Sequence, residues 1–316
     1  MTFPRWTVEG RLIDNKGNIQ KIYAMTKPSF LIIGAAKSGT TTLYRYLCRH
    51  PQVYMSTPKE PDFFAIDAIY ERGMTWYSSL FDQAESHQLC GEASTTYTRL
   101  PKFPDAAERI AQALPEVKLI YIMRHPVDRA YSHHVHEIKC REQKSRTTFE
   151  SAIKERPYLV ESGDYMQHIE LYLKYFSRNS LLLLLMEDLI QNPRDILDQV
   201  CCFIGVDNTI DLIQDTPVKA NQAREAADGF VRSKLTAPLK AIPGVNRTVA
   251  LFPQGVRDAA YQVLKGLPYY GKWGKKQSYL PPPMLPETHQ MLLERFRDQN
   301  QRLAEFLNRD LSHWSR

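Results

Sequence analysis

Between Gly34 and Thr42 the chain reads G-A-A-K-S-G-T-T-T, directly after the apolar run Phe30–Ile33 and at the start of a helix-forming stretch. These are groups that hold a phosphate: unpaired N–H groups at a helix start, a point charge on Lys37, and the hydroxyls of Ser38, Thr40, Thr41 and Thr42. Gly34 and Gly39 allow the tight turn and the close approach of the backbone. The common phosphate loop reads G-x-x-x-x-G-K-[ST], with its lysine after the second glycine. Here Lys37 comes before Gly39. In ATPases the residue after the lysine also holds Mg²⁺, and an aspartate ending a later strand supports the metal. The strongest later strand, V-K-L-I-Y-I-M, runs instead into Arg124. A cation in that place argues for a second phosphate and against a metal. Ser132 follows about two turns into a helix opened by Pro126, where its hydroxyl can join Arg124 on one anion. Two phosphate subsites are expected, each at the carboxyl end of a strand, where open α/β sheets bind ligands.

Other residues offer proton chemistry. Glu60, in T-P-K-E-P-D-F-F, follows the second strand; its spacing fits a solvated loop acid as well as a general base. Glu92, in G-E-A-S-T, reads equally as a helix cap or as an acid behind the site. His133, His134 and His136 are close together, and 133 and 136 share a helix face. No acid or cysteine has the companion spacing of a metal site, so they are expected to be partly buried or acceptor-facing, with one serving as an auxiliary base.

The elements that must position these groups alternate. Strands are expected near 29–34, 52–55, 88–92, 117–123 and 180–186. Helices are expected near 39–49, 105–114, 126–139, 147–155, 164–177, 193–204 and 286–308. Such alternation implies an α/β fold, a parallel sheet flanked by helices on both faces. Residues 1–27 form a separate extension in which R-L-I-D-N-K-G-N-I-Q-K-I predicts a β-hairpin about Asn15-Lys16-Gly17. Residues 28–316 then form one domain, irregular and proline-rich from about 205 to 285. Leu292, Phe296, Leu303 and Leu307 give the last helix an apolar face that packs back onto the domain.

Composition narrows the class. The chain has 316 residues, 43% of them hydrophobic, enough for a sizeable core. The 41 Lys+Arg against 35 Asp+Glu leave a net charge of +6, suited to an anionic ligand but too dispersed for nucleic acid. The 5 cysteines form no C-x-x-C and are odd in number, so neither a disulfide framework nor a zinc site is expected. No apolar run approaches the roughly 20 residues of a membrane span. The N-terminal residues lack the apolar core of a signal peptide, which predicts a cytoplasmic protein.

Lys37-Ser38-Gly39-Thr40-Thr41, with Arg124 and then Ser132 eight residues on, resembles the two cofactor signatures of the PAPS-dependent sulfotransferases (PAPS is 3′-phosphoadenosine 5′-phosphosulfate). The likeness is to the heparan-sulfate-type and bacterial branch, and extends through K-E-P-D-F-F, G-M-T-W-Y-S-S-L-F, G-E-A-S-T-T-Y, R-A-Y-S-H-H and M-E-D-L-I-Q-N-P-R-D. It implies a P-loop-like domain in which the first loop holds the 5′-phosphosulfate, Arg124 and Ser132 hold the 3′-phosphate, and no metal takes part. It also implies that Lys37 neutralises the leaving phosphate and Glu60 is the general base. Asp62 stands where a histidine can occur in that branch, and Ala93 where a lysine often contacts the acceptor. Asn221, Lys275 and Lys276 are expected in a lid over the adenine and 3′-phosphate, with Arg224 and Arg232 as further candidates. The acceptor, a hydroxyl or amine of a glycan, lipid, phenol or carrier-bound acyl chain, is left open. The alternatives are an ATP-dependent P-loop kinase or NTPase, and a non-catalytic nucleotide-binding relative.

Overall fold

The computed structural model of the chain describes residues 11–13, 19–21, 25–141, 147–213 and 281–316. Strands β1 (Arg11–Ile13) and β2 (Ile19–Lys21) pair antiparallel in the register Leu12↔Gln20, as the hairpin pattern predicts.

The main sheet contains β3 (Phe30–Gly34), β4 (Val53–Met55), β5 (Leu89–Ala93), β6 (Lys118–Met123) and β7 (Leu181–Leu185). All neighbours run parallel, in the order β4-β5-β3-β6-β7. Side chains of β3 and β6 divide strictly by parity. Leu31, Ile33, Leu119, Tyr121 and Met123 enter one core, and Phe30, Ile32, Ile120 and Ile122 the other. A strand buried on both faces has to be apolar throughout, which is why these runs are so easily read.

The first core is covered by α3 (Gly73–Ser79), α4 (Ala106–Ala113) and α8 (Tyr165–Leu173), together with Leu303 of α11 (Pro286–Leu307) and Trp314. The second is covered by α1 (Thr40–Leu47), α9 (Met186–Gln191) and α10 (Pro193–Ile204). A third cluster joins α5 (Pro126–Arg141), α6 (Phe149–Glu155), α7 (Tyr158–Glu161) and α11 through Val127, Phe149, Val160 and Phe296. Helix signals are local: the Thr148 hydroxyl accepts from Ser151 N at 3.3 Å at the start of α6, and Gly205 ends α10 at φ 91°.

Four short helices were not foreseen: α2 (Asp67–Tyr70), α3, α7 and α9. Met186, expected to end the last strand, instead begins α9, because Glu187 and Asp188 favour a first helical turn. Among the described residues no helix is long and apolar enough to cross a membrane.

Candidate active site

The chain leaves β3 for β4 and β5 on one side, then places β6 and β7 on the other. The strand order therefore reverses between β3 and β6. That is where an open parallel sheet forms a crevice at its carboxyl ends. The Gly34–Gly39 loop rises from β3 and Arg124 follows β6, so the two expected phosphate subsites flank the same crevice.

Within the loop, Gly34 takes φ 154° and Gly39, the residue before α1, takes φ 96°. A side chain at Gly34 would strike Thr98 Oγ1 at 2.1 Å, since Thr98 donates there to the Ile33 carbonyl at 3.1 Å. Gly39 brings no capping side chain, so the first amides of α1 lack intrahelical acceptors and face the loop. The Ser38 hydroxyl is wholly buried, with the Tyr165 phenol beside it. A buried hydroxyl beside the first amides of a helix fits an anion seated in the loop.

Lys37 has φ 70°, Glu60 φ 58° and Asp62 φ 56°. Left-handed backbone costs a non-glycine residue on the order of 1 kcal/mol or more, and such strain gathers at functional sites. Asn308, also at positive φ among the described residues, simply ends α11.

The loop after β4 is tied to the end of β5. Glu60 N–H donates to the Ala93 carbonyl at 3.0 Å and Asp62 N–H to Ser94 Oγ at 3.0 Å. Lys59 Nζ donates to Glu60 Oε1 at 2.6 Å, Thr95 Oγ1 to Glu60 Oε2 at 3.4 Å, and Thr96 Oγ1 to Asp62 Oδ1 at 2.7 Å. Burial pushes the Asp62 carboxyl up to about 6 against the opposing Thr96 hydrogen bond, and the Glu60 charge adds to the rise.

Glu92 is not a cap. It is fully buried within β5 and accepts from the Tyr77 hydroxyl; burial pushes its carboxyl up to about 7. Tyr77 in turn packs on Phe63, with ring centres 4.4 Å apart, and edge-on against Phe64, which meets Tyr97. Glu92 thus braces the floor beneath the Glu60 loop.

Helix geometry separates the three histidines. His136 feels both Lys37 and Glu60; burial first, and the lysine charge next, lower its imidazole to about 4. His133 is buried against Arg129, whose guanidinium nitrogen lies 3.4 Å from His133 Nδ1, and is held well below the usual range. His134 turns away onto Phe149, ring centres 5.7 Å apart.

Arg124 lines a cavity of about 440 Å³, with its guanidinium 3.8 Å from Asp128. Ser132 is half-buried on α5. Tyr165, which no sequence pattern singled out, donates its hydroxyl to the Arg124 carbonyl at 2.6 Å and accepts from Arg124 N–H at 3.4 Å. Lys275, Lys276, Asn221, Arg224 and Arg232 lie outside the described residues. Among the described residues, no group of three or more His, Cys, Asp or Glu is arranged to hold a metal ion.

Comparison with known proteins bears on the family and the fold. The family described as "Sulfotransferase domain" matches residues 27–228. The chain is 28% identical over 304 residues to the mouse bifunctional heparan sulfate N-deacetylase/N-sulfotransferase 4, covering 89% of this chain and 30% of that protein. It is 32% identical over 197 residues to human heparan sulfate glucosamine 3-O-sulfotransferase 6, covering 58% of this chain and 54% of that protein. The chain thus spans only 30% to 54% of the length of these relatives. A sulfotransferase from Alicyclobacillus acidocaldarius shares the fold at TM-score 0.62 and 23% identity, covering 92% of this chain and 99% of that one.

Proposed function

The chain belongs to the sulfotransferase-domain family, and from that premise we propose that it moves a sulfuryl group from PAPS to a hydroxyl or amine of an acceptor. PAPS supplies the sulfuryl group, and its departure leaves adenosine 3′,5′-bisphosphate. The observation that carries this reading is the placement of the Lys37 loop and Arg124 on adjacent strands, either side of the strand-order reversal.

The loop amides and the buried Ser38 hydroxyl receive the 5′ phosphate end, and Lys37 with the α1 dipole neutralises charge growing on the leaving oxygen. Arg124, with Ser132, holds the 3′-phosphate that ATP lacks. Glu60 accepts the acceptor's proton as the new S–O or S–N bond forms and the bond from sulfur to the phosphate oxygen breaks. His136, held neutral near Lys37 and Glu60, supports acceptor binding on the α5 side. No metal is assigned a role in this scheme. An ATP-dependent kinase needs an acid where β6 instead delivers Arg124. The domain is taken as residues 28–316 with residues 1–27 as an extension, and the protein as cytoplasmic.

Thermal unfolding with adenosine 3′,5′-bisphosphate, or with ATP and Mg²⁺, tests the donor. A ligand at about 100 times its Kd adds about 2.7 kcal/mol of stability. The bisphosphate is expected to raise Tm by several degrees and ATP by much less; the reverse order overturns the reading. Mass spectrometry of candidate acceptors incubated with PAPS then identifies the acceptor. Heparan-type glycans come first, because the matched relatives are named for them.

A further inference from the structure

The Ser312–Ser315 turn, which follows α11, lies well beyond residue 228, where the family match ends. His313 and Trp314 of the turn nevertheless line the same cavity as Arg124, Asp128 and Glu187. Trp314 has no exposed surface. Its indole N–H donates to Glu187 Oε1 at 2.7 Å across 127 residues of chain, and His313 Nε2 lies 3.0 Å from the same oxygen. Arg309 adds a bidentate pair to Asp188 at 3.0 and 3.1 Å. The turn is therefore fastened to the first turn of α9 by Trp314 and His313 on Glu187, and the residues just before it by Arg309 on Asp188.

What this fastening holds is specific. The Trp314 ring packs on Tyr165 at 5.9 Å and on His125 at 6.3 Å between ring centres. Tyr165 is the residue whose phenol engages both the N–H and the carbonyl of Arg124. His125 is the next residue in the chain, and its Nδ1 accepts from Asp128 N–H at 3.4 Å in the first turn of α5. The indole thus covers the outer side of both supports of the Arg124 backbone. A guanidinium delivers a charged hydrogen bond to phosphate only from a fixed position, since this bond weakens steeply as its angle and length depart from the optimum.

We propose that Trp314 is a positioning residue of the nucleotide site: anchored on Glu187, its indole buttresses Tyr165 and His125 and so holds Arg124 where it reads the 3′-phosphate. The proposal rests on the sulfotransferase reading, and its test separates the two. Calorimetry on the full chain measures Kd for adenosine 3′,5′-bisphosphate and for adenosine 5′-phosphate, with circular dichroism as a check of folding. Wild type should prefer the bisphosphate; absence of that preference overturns the underlying reading and this proposal with it.

Given the preference, Trp314→Ala should weaken the bisphosphate by roughly tenfold, the scale of a charged hydrogen bond, and leave the monophosphate within about twofold. Combined with Arg124→Ala, it should cost nothing further, because both act through the same contact. Equal losses for the two ligands, or losses that multiply with Arg124→Ala, overturn the proposal while leaving the sulfotransferase reading in place. If Trp314→Ala does not fold, Glu187→Ala keeps the indole but removes the carboxylate that anchors it. It should show the same selective loss, and an unselective or absent loss overturns the proposal. Trp314→Phe, which keeps an aromatic ring on Tyr165, should restore part of the bisphosphate affinity.

Discussion

Lys59 Nζ sits 2.6 Å from Glu60 Oε1, a contact between neighbours in sequence that fixes the orientation of the acid assigned as base. The Glu60 side chain is still 36% exposed, so the pair is worth at most about 1 kcal/mol and does not lock the carboxylate away from an acceptor. Thr95 holds the second oxygen from the β5 side. Glu60 is thus aimed but available.

Glu60→Gln keeps the shape and the hydrogen bond from Thr95 but cannot take a proton. Turnover should fall by roughly 10²–10⁴-fold, the usual scale for loss of a general base. Affinity for adenosine 3′,5′-bisphosphate should change little. Single-turnover rates beside calorimetry check this. Near-full activity would transfer the role to His136, the histidine that shares the field of Lys37 and Glu60.

Lys37→Ala should abolish measurable transfer and weaken the 5′-phosphate end of the nucleotide, since it removes the point charge from the loop. The same assay run with excess EDTA should retain its rate, because the charge is expected to be met by lysine and helix amides. Loss of activity that Mg²⁺ restores would return the kinase reading.

Arg124→Ala should cost about 2–3 kcal/mol of binding with a ligand carrying the 3′-phosphate, the scale of a lost charged hydrogen bond. It should cost far less with adenosine 5′-phosphate. Equal losses, measured by calorimetry, would show that Arg124 does not read that phosphate.

Stability should fall as pH rises from the usual carboxylate range to about 7, on account of two buried carboxyls. Burial raises Glu92 from 4.5 to about 7 and Asp62 from 3.8 to about 6. A raised folded value means that the folded state favours the protonated form. The contribution is therefore complete below the unfolded values and lost as pH climbs through the folded ones. For Glu92 the difference is on the order of 3 kcal/mol. Glu92→Gln, which stays neutral, should unfold at a Tm that rises relative to wild type between pH 5 and 8. A constant gap across that range would show that Glu92 ionises without penalty.

Much of this molecule is written locally. The strands at 30–34, 89–93, 118–123 and 181–185 fall within a residue or so of where their apolar runs place them. A strand covered on both faces has no polar positions to blur its ends. The Gly34–Thr42 loop is legible for the same reason: a turn with two left-handed glycines and a helix start is specified by neighbouring residues alone. Arg124 and Ser132 are fixed relative to β6 and α5 by sequence adjacency.

Tertiary structure decided what those local pieces face. Only the strand order places β6 beside β3, which brings Arg124 to the crevice of the Lys37 loop. His133 and His136 share a helix face by periodicity, but which face meets Lys37 follows from the packing of α5 on α6, α7 and α11. Glu92 had equal readings until Tyr77, from another element, closed over it. Trp314 and Glu187 carry no mark of each other in sequence, because a hydrogen bond between residues 127 apart leaves no periodic trace. Short-range geometry is set by the torsions and capping of adjacent residues, whereas long-range contacts exist only once two faces of the sheet have been filled.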